Sequence, residues 1–392
     1  MIRYLTAGES HGEALIGIVE GMPAGVTVRA KDIDAQLRRR WLGFGRGGRA
    51  KFEKDEVHIY SGVRHGKTMG SPVALRLDNA AYHKDRSDWP AVMSVERTDV
   101  EIEPITLPRP GHADLVGAQK YRFGDIRPVI ERSSARETAM RVACCTLARL
   151  LLGELGIRVG SHVIRVGEVG FESVDEYATK RDRILETGGA DQLSEAADGD
   201  EVRMIDQAVA ARCREHIVET KKAGDSLGGS YEVIVTGVPT GLGSYVHWDR
   251  RLDGQLAQAV MSIQGQKAVE VGDGVAGSWT PGSRFHDEIL PAKGGTTRRS
   301  NRAGGIEGGV SNGMPIVVRG FMKPIPTLIK PLATVDIRSG SEQPTRYERS
   351  DVTSVPAASV VAESTVALVI ANAVLEKFGG DSVEEIRERF SR

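Results

Sequence analysis

Residues Pro108–Gly153 read PRPGHADLVGAQKYRFGDIRPVIERSSARETAMRVACCTLARLLLG, and the two parts of this stretch follow different rules. In the second part Ala135, Ala139, Ala143, Leu147, Leu151 and Leu155 recur at every fourth position, and Val142, Cys145 and Leu152 widen the same face. A face that broad predicts a helix packed on most of its circumference. The first part is crowded with groups that can do chemistry: Arg109, His112, Asp114, Lys120, Arg127, Arg132, Ser133, Ser134 and Arg136. The Arg-Ser-Ser at 132–134 stands where the helix is expected to begin. Its serines are therefore expected as caps, and the free N–H groups beside them as a site ready for an anion. A capped helix after a polar loop gives the same pattern. The density of Arg, His and Asp in the preceding loop favours a ligand.

A second stretch has the same form. Glu348-Arg349-Ser350-Asp351 leads into Ala357–Phe378, which is rich in Ala, Val and Leu, as Glu131-Arg132-Ser133-Ser134 leads into the first helix. The match points to an internal duplication with both helix starts aimed at one site. Before and between the two helices the pattern alternates. Strands are expected at Val57–Val63, Ser71–Leu77, Ile157–Val169, Ser230–Val238, Lys267–Val271 and Met314–Met322. Helices are expected at Ala30–Arg40, Val174–Thr187, Glu201–Lys222 and Leu252–Gln264. Residues 188–199 read as an acidic linker, 79–103 as an irregular surface excursion or subunit contact, and 284–297 as a polar, mobile segment.

The bulk composition limits what such a chain can bind. Its 392 residues suffice for a large core. Lys and Arg number 52 against 53 Asp and Glu, so a polyanionic partner such as nucleic acid is not expected. No run reads as long and apolar enough to cross a membrane. The first residues, MIRYLTAGESHG, lack the order of a signal peptide. Cys144, Cys145 and Cys213 have no metal or disulfide spacing, and a cytoplasmic chain with reduced thiols is expected.

The arginines are balanced overall but clustered locally, which favours a small anionic ligand. Arg38, Arg39 and Arg40 end a helix, and Gly43–Arg49 follows with Arg46 and Arg49 among glycines. Arg38 and Arg39 read as a solvated basic face answering the helix dipole. Arg40, Arg46 and Arg49 read as oxyanion ligands, since the guanidinium fork binds such groups bidentately. His11, in Gly8-Glu9-Ser10-His11-Gly12, reads either as a proton donor or as part of a surface turn. The paired glycines of 304–309 let a flat or phosphorylated ligand approach the backbone, and Lys323-Pro324-Ile325-Pro326-Thr327 is a stiff turn carrying a cation.

These motifs together resemble chorismate synthase over nearly the full chain. The resemblance is carried by Gly8–Gly12, by Arg109-Pro110-Gly111-His112-Ala113-Asp114, by Arg132–Thr138, by Ala303–Gly309 and by Arg349-Ser350-Asp351. It implies an α+β fold, a β-α-β sandwich with central helices between antiparallel sheets, forming a single domain over 1–392 and a homotetramer. It also implies anti-1,4-elimination of phosphate from 5-enolpyruvylshikimate 3-phosphate, with reduced FMN and no net redox change. Carried over by position, His11 serves the leaving phosphate, His112 the reduced flavin, and Asp351 helps the flavin take up the substrate proton. Arg132, Ser133, Ser134, Gln264, Gly265, Gly308, Lys323, Pro324, Ile325, Pro326, Thr327 and Arg349 match flavin-binding positions. Arg40 and Arg46 match positions for NADPH or anion contacts. Ser10, Arg49, Arg109 and Arg136 are expected beside the substrate's phosphate and carboxylates on physical grounds. One segment departs from the family's usual Ala-Val-Lys-Gly-Val-Glu: here Gly265-Gln266-Lys267-Ala268-Val269-Glu270 follows Gln264. No dinucleotide fingerprint is present, so NADPH is expected to act indirectly through an external flavin reductase. Two other readings are a reductase or bifunctional enzyme that makes its own reduced FMN from NADPH and a non-catalytic anion- or flavin-binding scaffold.

Overall fold

Helix α4 (Glu137–Glu154) and helix α8 (Val355–Phe378) lie against each other at the centre of the protein. The computed structural model describes residues 1–44, 55–292, 295–346 and 351–391. Expected site residues Arg46, Arg49 and Arg349 therefore fall outside the described residues. α4 buries Ala139, Met140, Val142, Ala143, Cys144, Cys145, Leu147, Ala148, Leu151 and Leu152, so its broad face is occupied as the periodicity predicts. α8 has Pro356 in its first turn, where a missing N–H costs nothing, and is closed by Gly379 at φ 62°. By length and composition α8 could cross a membrane, contrary to the expectation above. However, 78% of its most apolar window is buried inside the fold.

Each central helix covers its own antiparallel sheet. The first sheet has the order β1 (Arg3–Ala7), β2 (Ala14–Glu20), β4 (Val73–Asp78), β3 (Val57–Ser61), with α1 (Ala30–Trp41) between β2 and β3 in the chain. The second has the order β6 (Val169–Gly170), β5 (Arg158–Val166), β7 (Gly229–Thr236), β9 (Ile316–Met322), β8 (Gln266–Val271), with α7 (Leu252–Met261) between β7 and β8. Setting β6 aside, strands one, two, four and three of each half lie side by side in the same order, and a helix joins the second to the third. α4 packs on β1, β2 and β4, and α8 on β5, β7 and β9. The layers are thus sheet, helices, sheet, and the topology supports the duplication read from the paired Glu-Arg-Ser.

Close approach between layers depends on small residues. A Cβ on Gly17 of β2 would lie 2.5 Å from both Cys144 Sγ and Met140 Sδ of α4. Gly17→Ala is expected to destabilise the protein by about 1–3 kcal/mol through overpacking. A thermal midpoint equal to the parent's would refute that account.

Elsewhere the chain corrects local expectations. Residues 188–199 are not a linker but the second part of α5 (Val174–Asp198), beyond a break at Gly188 and Gly189. Ala190, Leu193 and Ala197 have helical spacing and are fully buried, which outweighs the small, acidic composition. Helix α6 (Gln207–Ala223) starts later than expected, where the Asp206 carboxylate accepts the N–H groups of Ala208 and Val209. Helix α7 ends at Met261 rather than Gln264. Strands at Ile289–Ala292 and Gly295–Arg298 pair in the stretch expected to be polar and mobile.

Arg39 is not on a solvated face. Both its terminal nitrogens donate to Glu363 of α8 at 2.7 Å, and its Nε donates to Asp198 at 2.6 Å. Arg149 and Arg203 converge on the same Glu363 carboxylate at 2.8 and 3.1 Å, with the Ser161 hydroxyl donating at 2.6 Å. Burial alone would raise the Glu363 carboxyl, but the surrounding guanidiniums hold it well below the usual carboxylate range.

Candidate active site

The loop Gly8–Gly12 joins β1 to β2 and hangs on the short helix α3 (Arg127–Ser133). Ser10 N–H donates to the Glu131 carbonyl at 3.1 Å, and His11 N–H donates to Glu131 Oε2 at 2.8 Å. The imidazole Nδ1 of His11 lies 2.9 and 3.0 Å from the two carboxylate oxygens of Glu131. On its flat side the ring stacks on Trp89, with centroids 3.9 Å apart and planes 14° apart. Trp89 belongs to the excursion 79–103, which contains two helical turns, Ala80–His83 and Trp89–Val92. The excursion thus forms a wall of the His11 site. The side chain of Asn79 donates to the carbonyls of Glu9 and Gly12 at 3.1 and 2.8 Å, fixing the loop from behind. A cavity of about 650 Å³ opens here, lined by His11, Trp89, Lys84, Arg86 and Arg127 among others.

Of the two expected caps only Ser134 serves the start of α4: its hydroxyl accepts the N–H of Arg136 at 3.2 Å, just before the helix. Ser133 is the last residue of α3, and its hydroxyl donates back to the Val129 carbonyl at 2.6 Å. The residue before α4 is Arg136, in helical conformation and with no side-chain cap. Ser134 also donates to Ser10 Oγ at 3.1 Å, tying the first loop to the turn between the helices. Arg132 reaches across β1, donating to the carbonyls of Gly8 and Thr6 at 3.2 and 2.9 Å.

His112 sits at the other side of the same polar stretch. Its Nδ1 is held by a short hydrogen bond to the fully buried Asp114, the first residue of α2 (Asp114–Tyr121). Arg109 donates Nε to Asp114 Oδ2 at 2.8 Å and Nη1 to Thr327 Oγ1 at 2.9 Å, and its guanidinium lies 3.1 Å from the His112 ring. Arg109 therefore ties His112 to the turn at 323–327. Burial would raise the Asp114 carboxyl, but hydrogen bonds from His112 and Arg109, and their charges, hold it far below the ordinary range. Its proton affinity is thus lower in the folded than in the unfolded chain. Asp114 stabilises the fold above the unfolded carboxylate value of about 3.9, and this contribution is lost as pH falls further. In Asp114→Asn the slope of unfolding free energy against pH below about pH 4 is expected to be shallower than in the parent. Equal slopes would show that Asp114 is not held in this way.

Between the two histidines runs a continuous set of contacts. Thr6 donates to Glu137 Oε1 at 2.9 Å, and Gln264 Nε2 donates to Glu137 Oε2 at 3.1 Å. The next residue, Gly265, stands at φ 83°, and its carbonyl accepts Lys323 N–H at 2.9 Å. The Lys323 ammonium then donates to the carbonyl of Gly111, beside His112. Asp351 precedes Val352, whose carbonyl accepts Leu227 N–H at 2.8 Å, and the adjacent Ser226 donates to the Ile325 carbonyl at 2.6 Å. Three expected residues stand apart from this set. Arg136 is buried and donates to Asp55 at 2.6 Å and Asn79 at 3.0 Å. Gly308, at φ 61°, lies in a separate hairpin where its nearest neighbour would be Tyr245. Arg40 is buried at the base of α4, donating to Thr138 Oγ1 at 2.9 Å and the Ala135 carbonyl at 3.0 Å.

The departure at Gln266 has a visible consequence. This side chain is 6% exposed, and neither its amide oxygen nor its nitrogen has a hydrogen-bond partner among the described residues. An unmet buried polar group costs about 1–3 kcal/mol. Gln266→Val is expected to raise the thermal midpoint, and a lowered midpoint would contradict this. Sequence reading missed Glu131 and Trp89 as partners of His11. Glu131 was visible as the first residue of the repeated Glu-Arg-Ser, but nothing local marks Trp89.

The family model described as chorismate synthase matches residues 2–375. A chorismate synthase of Salinibacter ruber is 63% identical over 392 residues, covering 99% of this chain and 97% of that protein. One from a Geobacillus species is 51% identical over 395 residues, covering 100% and 98%. A solved structure described as a crystal structure of chorismate synthase superposes with a TM-score of 0.78 at 40% identity, covering 100% of this chain and 96% of the other.

Proposed function

Because the chain belongs to the chorismate synthase family, we propose that His11, His112 and Asp351 serve a single flavin-dependent elimination site. The reaction is the conversion of 5-enolpyruvylshikimate 3-phosphate to chorismate, the last step of the shikimate pathway, by a carbon–oxygen lyase acting on a phosphate. The C–O bond to phosphate breaks with its electron pair leaving on oxygen. One ring hydrogen is lost as a proton, a further ring double bond forms, and oxidation state is unchanged overall.

The observation that carries this reading is the unbroken set of contacts from Glu137 through Gln264, Gly265 and Lys323 to Gly111, joining the surroundings of the two histidines. The residues present fit reduced FMN. Gln264 Oε1 is buried without a partner among the described residues, two glycines at positive φ (Gly111 and Gly265) bare the backbone, and Lys323 and Arg132 bring cations. When bound, reduced flavin supplies the electron density that eases departure of phosphate. His11 donates a proton to the leaving phosphate. His112, oriented by Asp114, presents a fixed ring at the cofactor. Asp351 assists removal of the ring proton. Ser133, Ser134, Pro324, Ile325, Pro326, Thr327, Gly308 and Arg349 complete the proposed flavin contacts. Ser10, Arg40, Arg46, Arg49, Arg109 and Arg136 are assigned to substrate or NADPH anions.

The absence of a dinucleotide fingerprint supports an external flavin reductase, with NADPH as indirect reductant. The exposed apolar residues Leu5 and Ile18 on the outer face of the first sheet, 73% and 46% accessible, support assembly of copies into a homotetramer. Direct packing of α4 on α8 across the two halves supports a single domain. A cytoplasmic location follows from the biosynthetic role. Flavin titration tests the cofactor assignment: Arg132→Ala and Lys323→Ala are expected to weaken FMN binding. Unchanged affinity in both variants would remove these residues from the site.

A further inference from the structure

We propose that Glu131 and Trp89 are positioning residues for His11, a reading that rests on the proton-donor role given to His11 above. Glu131 is 3% exposed, and both its carboxylate oxygens face the His11 residue. One oxygen accepts the backbone N–H at 2.8 Å, and both lie within 3.0 Å of Nδ1. A carboxylate at that distance holds a proton on Nδ1 and leaves Nε2 as the ring nitrogen available to a substrate. The same residue's carbonyl accepts the N–H of Ser10 at 3.1 Å, so one turn of α3 fixes both the peptide and the ring.

The indole of Trp89 fixes the remaining freedom. A ring bound at Nδ1 can still swing about that hydrogen bond, and parallel stacking at 3.9 Å removes the swing. The Arg127 guanidinium lies 6.0 Å from the centre of the indole, in cation–π range, and steadies it from α3. The His11 side chain keeps 21% of its surface exposed, and it lines the cavity together with Trp89. The other charged groups of that cavity are Lys84, Arg86 and Arg127, opposed by Asp85 and Asp88. An anion entering there meets the ring nitrogen that Glu131 leaves available. After the proton passes from Nε2 to the departing phosphate oxygen, the ring is neutral and keeps its Nδ1 proton on Glu131.

A double-mutant cycle tests this. Glu131→Gln keeps the shape but removes the charge and one acceptor. It is expected to lower kcat about 10- to 100-fold, the cost seen for carboxylates that orient metal-bound imidazoles, while KM and FMN affinity stay near the parent values. The decisive comparison is His11→Ala with His11→Ala/Glu131→Gln. If Glu131 acts through His11, the double variant turns over no more slowly than the single one. Trp89→Phe, which keeps a stacking ring, is expected to retain more of kcat than Trp89→Ala. Losses that multiply in the cycle, or a Glu131→Gln enzyme at parental rate beside a slow His11→Ala, would overturn the positioning role alone. A His11→Ala enzyme at parental rate would overturn the role of His11 itself and this proposal with it.

Discussion

Replacing His112 by alanine lowers kcat by about 10²–10⁴-fold, the range for loss of a positioned proton-handling side chain, while oxidised FMN still binds. The expectation comes from how the residue is held. Asp114 and Arg109 form an ion pair at 2.8 Å that does not need the imidazole, and Arg109 is separately anchored to Thr327. Removing the ring therefore leaves the loop's framework in place and takes away only the group presented to the cofactor. Circular dichroism and flavin titration separate this from misfolding. Unchanged turnover would show that His112 is part of the loop's structure and nothing more, and loss of FMN binding would recast it as a binding residue.

The second large effect concerns stability rather than chemistry. Glu363→Ala is expected to cost about 3–5 kcal/mol, because removing one partner of a buried charge cluster leaves the others uncompensated. Here the carboxylate is fully buried and bonded by Arg39, Arg149 and Arg203 from three different parts of the chain. Arg39 ends α1, Arg149 lies on α4, and Arg203 precedes α6, so Glu363 on α8 joins both halves of the sandwich. Denaturant unfolding would measure the loss. A change within about 0.5 kcal/mol, as for an ordinary surface substitution, would mean that water or rearranged side chains take over its role.

Much of this architecture was legible because periodicity reports burial. The four-residue spacing from Ala139 to Leu151 and the apolar run into Phe378 marked the two central helices, and the repeated Glu-Arg-Ser hinted at the equivalent sheets. What the sequence hid depends on contacts between distant residues. Arg39 reads as a solvated face and Arg40 as an oxyanion ligand, and the fold does not keep this division. Only the fold brings Glu363, 324 residues away, against Arg39, while Arg40 turns to Thr138. Trp89 lies in a segment without periodicity, so its place against His11 depends on how residues 79–103 fold back. Ser133 and Ser134 carry good capping side chains, yet α3 comes directly before them and uses Ser133 within its own last turn. The site loops themselves were readable as chemistry: His11 and His112 stood out by residue type, and each is held at Nδ1 by a buried carboxylate. Of those two carboxylates, Asp114 was within two residues of its histidine, whereas Glu131 was 120 away.

The most direct test of the whole account is anaerobic turnover of 5-enolpyruvylshikimate 3-phosphate by the purified protein, with photoreduced FMN and, in parallel, with oxidised FMN. The account predicts chorismate and inorganic phosphate in equal amounts with reduced flavin, and neither with oxidised flavin. Product formed without reduced flavin, or no product from a protein that binds reduced FMN, would contradict it.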